Sequence, residues 1–187
     1  MRGLFHFLIL CPHLVFAEDT KILSNQILSV ESGVICAPVA TGEAKAPDTL
    51  AGTTHLISEN PPFVSQENQV PAVLGIGFGV KSMSIYPDGL SDVQMVITHP
   101  PMGVQKTTSQ SYKTTISGRS QSITFYQFDF DYELQIGTWR MEAIRGEEIL
   151  FSAEFEIVLP NQMPELSQVC GFEDLLSLYF EPDASLR

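Results

Sequence analysis

The sequence predicts an all-β fold, an antiparallel sandwich. Three observations carry that reading: side chains that alternate with period two in several segments, turn signals spaced between those segments, and no convincing helical periodicity before the last part of the chain. The clearest alternation puts Ile149, Phe151, Ala153, Phe155, Ile157 and Leu159 on one face and Glu148, Ser152, Glu154 and Glu156 on the other, with Leu150 and Val158 breaking the polar side. That is the pattern of a half-buried antiparallel strand. Trp139, Met141 and Ala143 alternate with Thr138, Arg140 and Glu142 just before it, and the two runs meet at Arg145-Gly146-Glu147. They form a hairpin in which Gly146 takes the positive-φ position.

Further strands are expected over residues 22–30, 33–38, 74–84, 93–98 and 122–130, with Pro87-Asp88-Gly89 and Pro100-Pro101-Met102-Gly103 as turns. Residues 40–52 are small, polar and interrupted by Pro and Gly, so they read as a loop that divides no domain. The Ser/Thr-rich stretch 107–122, with Lys106, Lys113 and Arg119, reads as an exposed connection or a polar edge strand. Near the end, Phe172 to Tyr179 has the composition for two helical turns, in a tail that begins after Cys170.

The chain has 187 residues, 44% hydrophobic and 17% charged, which is the range of an ordinary globular protein and suits one domain. Its 22 acidic and 10 basic side chains give a formal charge of -12. That balance leaves no cationic surplus to neutralise phosphates, and it argues against nucleic-acid and anionic-membrane partners.

The N-terminus reads as a secretory signal peptide. Arg2 precedes an apolar run from Leu4 to Cys11 that ends with Val15-Phe16-Ala17 ahead of Glu18 and Asp19. Small Ala17 fits the cleavage pattern, so cleavage is expected between Ala17 and Glu18. Pro12 and His13 interrupt the run too early for it to span a bilayer. An uncleaved anchor and a lipoprotein signal at Cys11 are the rival readings, the latter opposed by bulky Leu10. Cleavage leaves residues 18–170 as the domain and 171–187 as a tail, with no transmembrane segment in the mature chain. It also leaves two cysteines, Cys36 and Cys170, and two histidines, His55 and His99. An even pair of cysteines in an oxidising compartment suggests a disulfide, against the alternative of two buried thiols.

Gly75-Ile76-Gly77-Phe78-Gly79 looks at first like a dinucleotide loop, but Val80 stands where the third glycine belongs and no helix pattern follows. As a strand, it places Leu74, Ile76, Phe78 and Val80 on one face and leaves the other bare for a backbone or an aromatic ring to approach. Asp129, Asp131 and Glu133 would share one face if their strand continued, and three carboxylates could hold Ca²⁺. The glycine and the full ligand series of a calcium loop are missing, however, and such rows more often keep an edge solvated. His99, with Met102, Met83, Met95 and Met141, raises a soft copper site. Met95 and Met141 fall on predicted core faces, though, and a histidine before two prolines is most simply a strand end. No nucleophile elbow or zinc-protease motif occurs, so no catalytic, cofactor-binding or metal residue is assigned and no cofactor is expected.

Taken together, residues 70–80 (VPAVLGIGFGV), 96–103 (VITHPPMG), 125–130 (FYQFDF), Tyr132-Glu133-Leu134 and Gly137-Thr138-Trp139 resemble, in this order, the bacterial domain of unknown function 3859 family. The resemblance covers roughly residues 27–159. It implies an immunoglobulin-like sandwich and brings no activity or catalytic residue with it. The function expected is a non-enzymatic periplasmic or secreted binding module with a protein partner in the cell envelope. The alternatives are a metal-dependent protein or hydrolase using His55, His99 and the Asp129, Asp131 and Glu133 face, and a structural subunit of an envelope complex.

Overall fold

A computed structural model describes residues 24–170, which form ten strands, two 3-10 turns and one short helix. The expected cleavage point at Ala17 and the helical turns expected over Phe172 to Tyr179 lie outside the described residues.

The strands are β1 (Ile27–Cys36), β2 (Gly42–Lys45), β3 (Thr53–Leu56), β4 (Gln69–Pro71), β5 (Ile76–Ser84), β6 (Leu90–Met102), β7 (Thr107–Ile116), β8 (Ser122–Gln127), β9 (Gly137–Arg145) and β10 (Glu148–Val158). One sheet has the order β1-β5-β8 and the facing sheet β4-β10-β9-β6-β7, while β2 and β3 pair only with each other. Every pairing is antiparallel except that of short β4 with β10. The earliest strand of each main sheet in chain order lies at an edge, β1 against β5 and β4 against β10. This is an immunoglobulin-like sandwich.

The core explains why these residues form these strands. Phe78 on β5 meets Trp139 on β9 edge-on at 5.7 Å and Phe155 on β10 at 4.6 Å, and Phe128, just beyond β8, meets Trp139 at 5.8 Å. All four are fully buried. Aromatic rings from both sheets thus fill the interior where antibody domains carry a disulfide. Here the disulfide is peripheral: Cys36, the last residue of β1, is bonded to Cys170, which follows helix α1 (Pro164–Val169), with Cα atoms 5.3 Å apart.

The β9–β10 hairpin turns at Gly146 with φ 62°, as its sequence indicates. On β10 the inward set differs at both ends. A register shift between Ile149 and Phe151 turns Leu150 into the core, and Leu159 is exposed because the strand stops at Val158. The glycines of β5 meet the neighbouring strand of their own sheet. A Cβ at Gly77 would lie 2.7 Å from the Tyr126 carbonyl oxygen, and one at Gly79 would lie 2.7 Å from Phe125 Cβ, so β8 lies against β5 more closely than a side chain would permit.

Other expectations need correction. The break expected between segments 22–30 and 33–38 does not occur: Ile27–Cys36 is one strand, β1, in which Glu31 and Ser32 are tolerated because β1 is a sheet edge. The loop 40–52 contains β2 and the start of the β2–β3 hairpin. Strand β6 runs on past His99 to Met102, its pairing with β7 broken between Thr98 and Met102 where Pro100 and Pro101 lack N–H donors. The turn comes afterwards, at Gly103 with φ 68°. The polar stretch 107–122 is, over most of its length, the edge strand β7.

Candidate functional site

The two sheets part between their free edges, β7 of one and β8 of the other, and the β2–β3 hairpin reaches across the gap. The Asp48 carbonyl accepts the Ser111 N–H of β7 at 3.1 Å, and Leu50 N–H donates to Gln110 Oε1 at 2.6 Å. On the far side, His55 Nε2 lies 2.7 Å from Asp129 Oδ2, just past β8. Beneath this strap is a cleft of about 390 Å³, within the range of small-ligand sites.

A chain of buried polar groups runs under the cleft. Pro100's carbonyl accepts from His99 Nδ1 at 2.8 Å, so Nδ1 carries the proton and Nε2 accepts from Gln110 Nε2 at 3.3 Å. The same amide nitrogen reaches Tyr126 Oη at 3.4 Å, and Tyr126 donates to Glu133 Oε1 at 2.7 Å. Glu133 Oε2 then accepts the backbone N–H groups of Asp129, at 2.7 Å, and Phe130, at 3.0 Å. Burial lowers the His99 pKa below its ordinary value, only partly offset by the Pro100 hydrogen bond, so the imidazole is held neutral. Burial likewise raises the Glu133 carboxyl despite its three donors, and burial together with the Glu133 charge lifts the Tyr126 phenol above the tyrosine range. Every member of the chain is hydrogen-bonded, so it works as a cross-brace between β6, β7, β8 and the turn after β8.

This geometry separates the residues picked out in sequence. His99 is a core residue, 4% exposed, with its ring 4.8 Å from that of Trp139. It is neither at a strand end nor open to a substrate. The row Asp129, Asp131, Glu133 is not a strand face, because β8 ends at Gln127 and Asp131–Glu133 is a 3-10 turn. Glu133 turns inward to cap that turn and Asp129 turns to His55, so the three carboxylates do not converge as the calcium reading required. Among the described residues no group of three or more His, Cys, Asp or Glu side chains is placed to hold a metal ion. Met95 and Met141 are fully buried, and Met102 is 1% exposed. What the structure does bring together is His55 and Asp129, with Gln127 Nε2 donating to the other carboxylate oxygen at 2.7 Å.

Sequence reasoning missed Gln110, Tyr112 and Tyr126, which floor the cleft. A signal existed for the first two. Gln110, Tyr112, Thr114 and Ile116 share one face of β7, and the buried Ile116 identifies that face as the inner one.

Among the solved structures similar to the chain are two from Pseudomonas species. One is an immunoglobulin-like protein from Pseudomonas aeruginosa, with 17% identity and TM-score 0.47, covering 76% of this chain and 100% of that one. The other is an alkylpurine DNA glycosylase of Pseudomonas fluorescens bound to DNA containing an abasic-site analogue, with 17% identity and TM-score 0.32, covering 48% of this chain and 27% of that one. No curated protein matches the chain. The model of the domain of unknown function DUF3859 matches residues 24–157, more than half of the sequence, and the chain belongs to that family.

Proposed function

We propose that residues 18–170 act as one exported, non-enzymatic module that binds a protein partner of the cell envelope through the open side of the sandwich. The observation that carries this reading is the edge of β7. Ser111 N–H points away from β6 to reach Asp48, so by strand alternation Ser109 and Lys113 also direct their backbone groups outward. Among the described residues those groups of Ser109 and Lys113 have no partner. An edge of this kind, polar and bordering a cleft, suits capture of another chain. The disulfide suits an oxidising compartment. Among the described residues no helix is long and apolar enough to cross a membrane.

A photo-crosslinking side chain at position 113 tests this. It should trap an envelope protein, whereas the same group at exposed position 147, on the β9–β10 turn, should not. Equal yields from both positions would remove the reading.

The His55–Asp129 pair at the cleft favours a second reading, a hydrolase in which Asp129 orients an imidazole base. Metal analysis and a hydrolase substrate screen, each with wild type and His55→Ala, separate the two. Activity lost with His55 would favour the enzyme.

A further inference from the structure

The cleft is bounded by consecutive residues of strands, Ile123 to Gln127 on β8 and Tyr112 to Thr114 on β7. Side chains of a strand alternate between faces, so an unbroken run lines a cavity only where the cavity meets the strand edge-on. On β8 the edge is open. Phe128 N–H bonds the Ile76 carbonyl, and the Tyr126 carbonyl points at Gly77, so the even-numbered residues serve the pairing with β5. Ile123, Phe125 and Gln127 therefore turn their N–H and C=O groups toward the cleft, and no partner takes them among the described residues. They repeat about every 6.8 Å, the two-residue repeat of an extended backbone.

We propose that the cleft is a slot for one added strand, in which an extended peptide segment of a partner pairs with β8 through Ile123, Phe125 and Gln127. This rests on the binding-module reading and names the occupant. The slot selects against acidic segments: its acidic side chains are Glu43, Asp129 and Glu133 against the single basic side chain Lys113, in a chain of net charge -12. The segment it fits carries a basic side chain. Main-chain bonds would supply affinity, and alternate side chains would enter the space above Tyr112 and beside Phe130.

The test selects random octapeptides displayed on phage against the full chain, then follows amide exchange with a synthetic copy of the selected peptide. Expected are peptides bearing Lys or Arg that slow exchange of the Ile123, Phe125 and Gln127 amides by at least ~10-fold, with N-methylation of alternate peptide nitrogens abolishing the effect. Ile123→Pro, which removes one outward donor, should weaken binding by roughly 10-fold. Exchange protection needs no substitution, so it stands even if that variant folds poorly. No enrichment, or bound peptides that leave the three amides unprotected, would overturn the proposal. So would protection of those amides in the chain alone that rises with its concentration, because the occupant would then be a second copy. The crosslink at position 113 does not depend on the β8 amides, so a failure here leaves the module reading to its own test.

Discussion

Gln110 on β7 donates a 3.3 Å hydrogen bond to the ring of His99 on β6, inside the sandwich and beneath the cleft. The bond needs a neutral imidazole, since Nε2 must accept while Nδ1 donates to Pro100. Protonation would set two donors against each other next to Trp139.

Folding should therefore weaken in mild acid. The folded-state pKa of His99 lies below the ordinary 6.5, so this contribution is complete above that value and is lost as pH falls below it, when the unfolded chain takes a proton that the folded chain refuses. The slope reaches at most about 1.4 kcal/mol per pH unit. Melting curves between about pH 7.5 and about pH 5.5 should show the loss in wild type and a shallower one in His99→Phe. Identical pH dependence in the two would contradict it.

Glu133 behaves with the opposite sign. Its folded pKa is raised, so its contribution is present in acid and is lost as pH climbs through that raised value. Glu133→Ala strands Tyr126 and two backbone N–H groups and should cost about 2–4 kcal/mol in denaturant unfolding. Glu133→Gln should cost less, and the stability of wild type relative to this variant should grow as the pH is lowered.

Gly79→Ala would drive a methyl group to 2.7 Å from Phe125 Cβ and against the Thr124 carbonyl. A loss of about 1–3 kcal/mol is expected, with no comparable loss in Gly42→Ala, where the nearest atom is Leu56 Cδ1 at 3.8 Å. Equal effects at both sites would mean that β5 and β8 are not pressed together as described.

The Cys36–Cys170 bond closes a loop of sequence separation 134, and on the chain-entropy model it contributes about 4–5 kcal/mol. Reduction should lower the melting temperature. Two free thiols in denatured, unreduced protein would show that the bond does not form.

The elements legible in sequence are those whose side chains face the core. Phe151, Phe155, Trp139 and Met141 alternate because one face of each strand is buried, and Gly146 marks their turn. The β2–β3 hairpin escaped notice because Gly42–Lys45 and Thr53–Leu56 bury no side chain fully, which leaves no apolar period to read. The site was legible only as separate residues. His55 and Asp129 stand 74 positions apart, and the hairpin's path across the sheet edges decides that they meet. The row Asp129, Asp131, Glu133 misled because alternation in sequence continues where the strand does not: two backbone N–H groups claim Glu133, and the chain bends into a 3-10 turn. His99 misled for a related reason, since the break in the β6–β7 pairing between Thr98 and Met102 accommodates Pro100 and Pro101, so β6 runs on and carries the imidazole into the aromatic core. Replacing His99 by alanine thus probes stability, and His55 alone remains as the test of imidazole chemistry at the cleft.

The decisive measurement is partner capture from envelope extract by wild type, Lys113→Pro and His55→Ala side by side. Lys113→Pro removes an outward N–H from β7 and leaves the β6–β7 pairing intact, as an edge strand permits. If the edge does the binding, Lys113→Pro retains at most about a tenth of the wild-type capture while His55→Ala retains nearly all of it. Full capture by Lys113→Pro together with loss in His55→Ala would contradict the binding module and put the imidazole at the centre of the function.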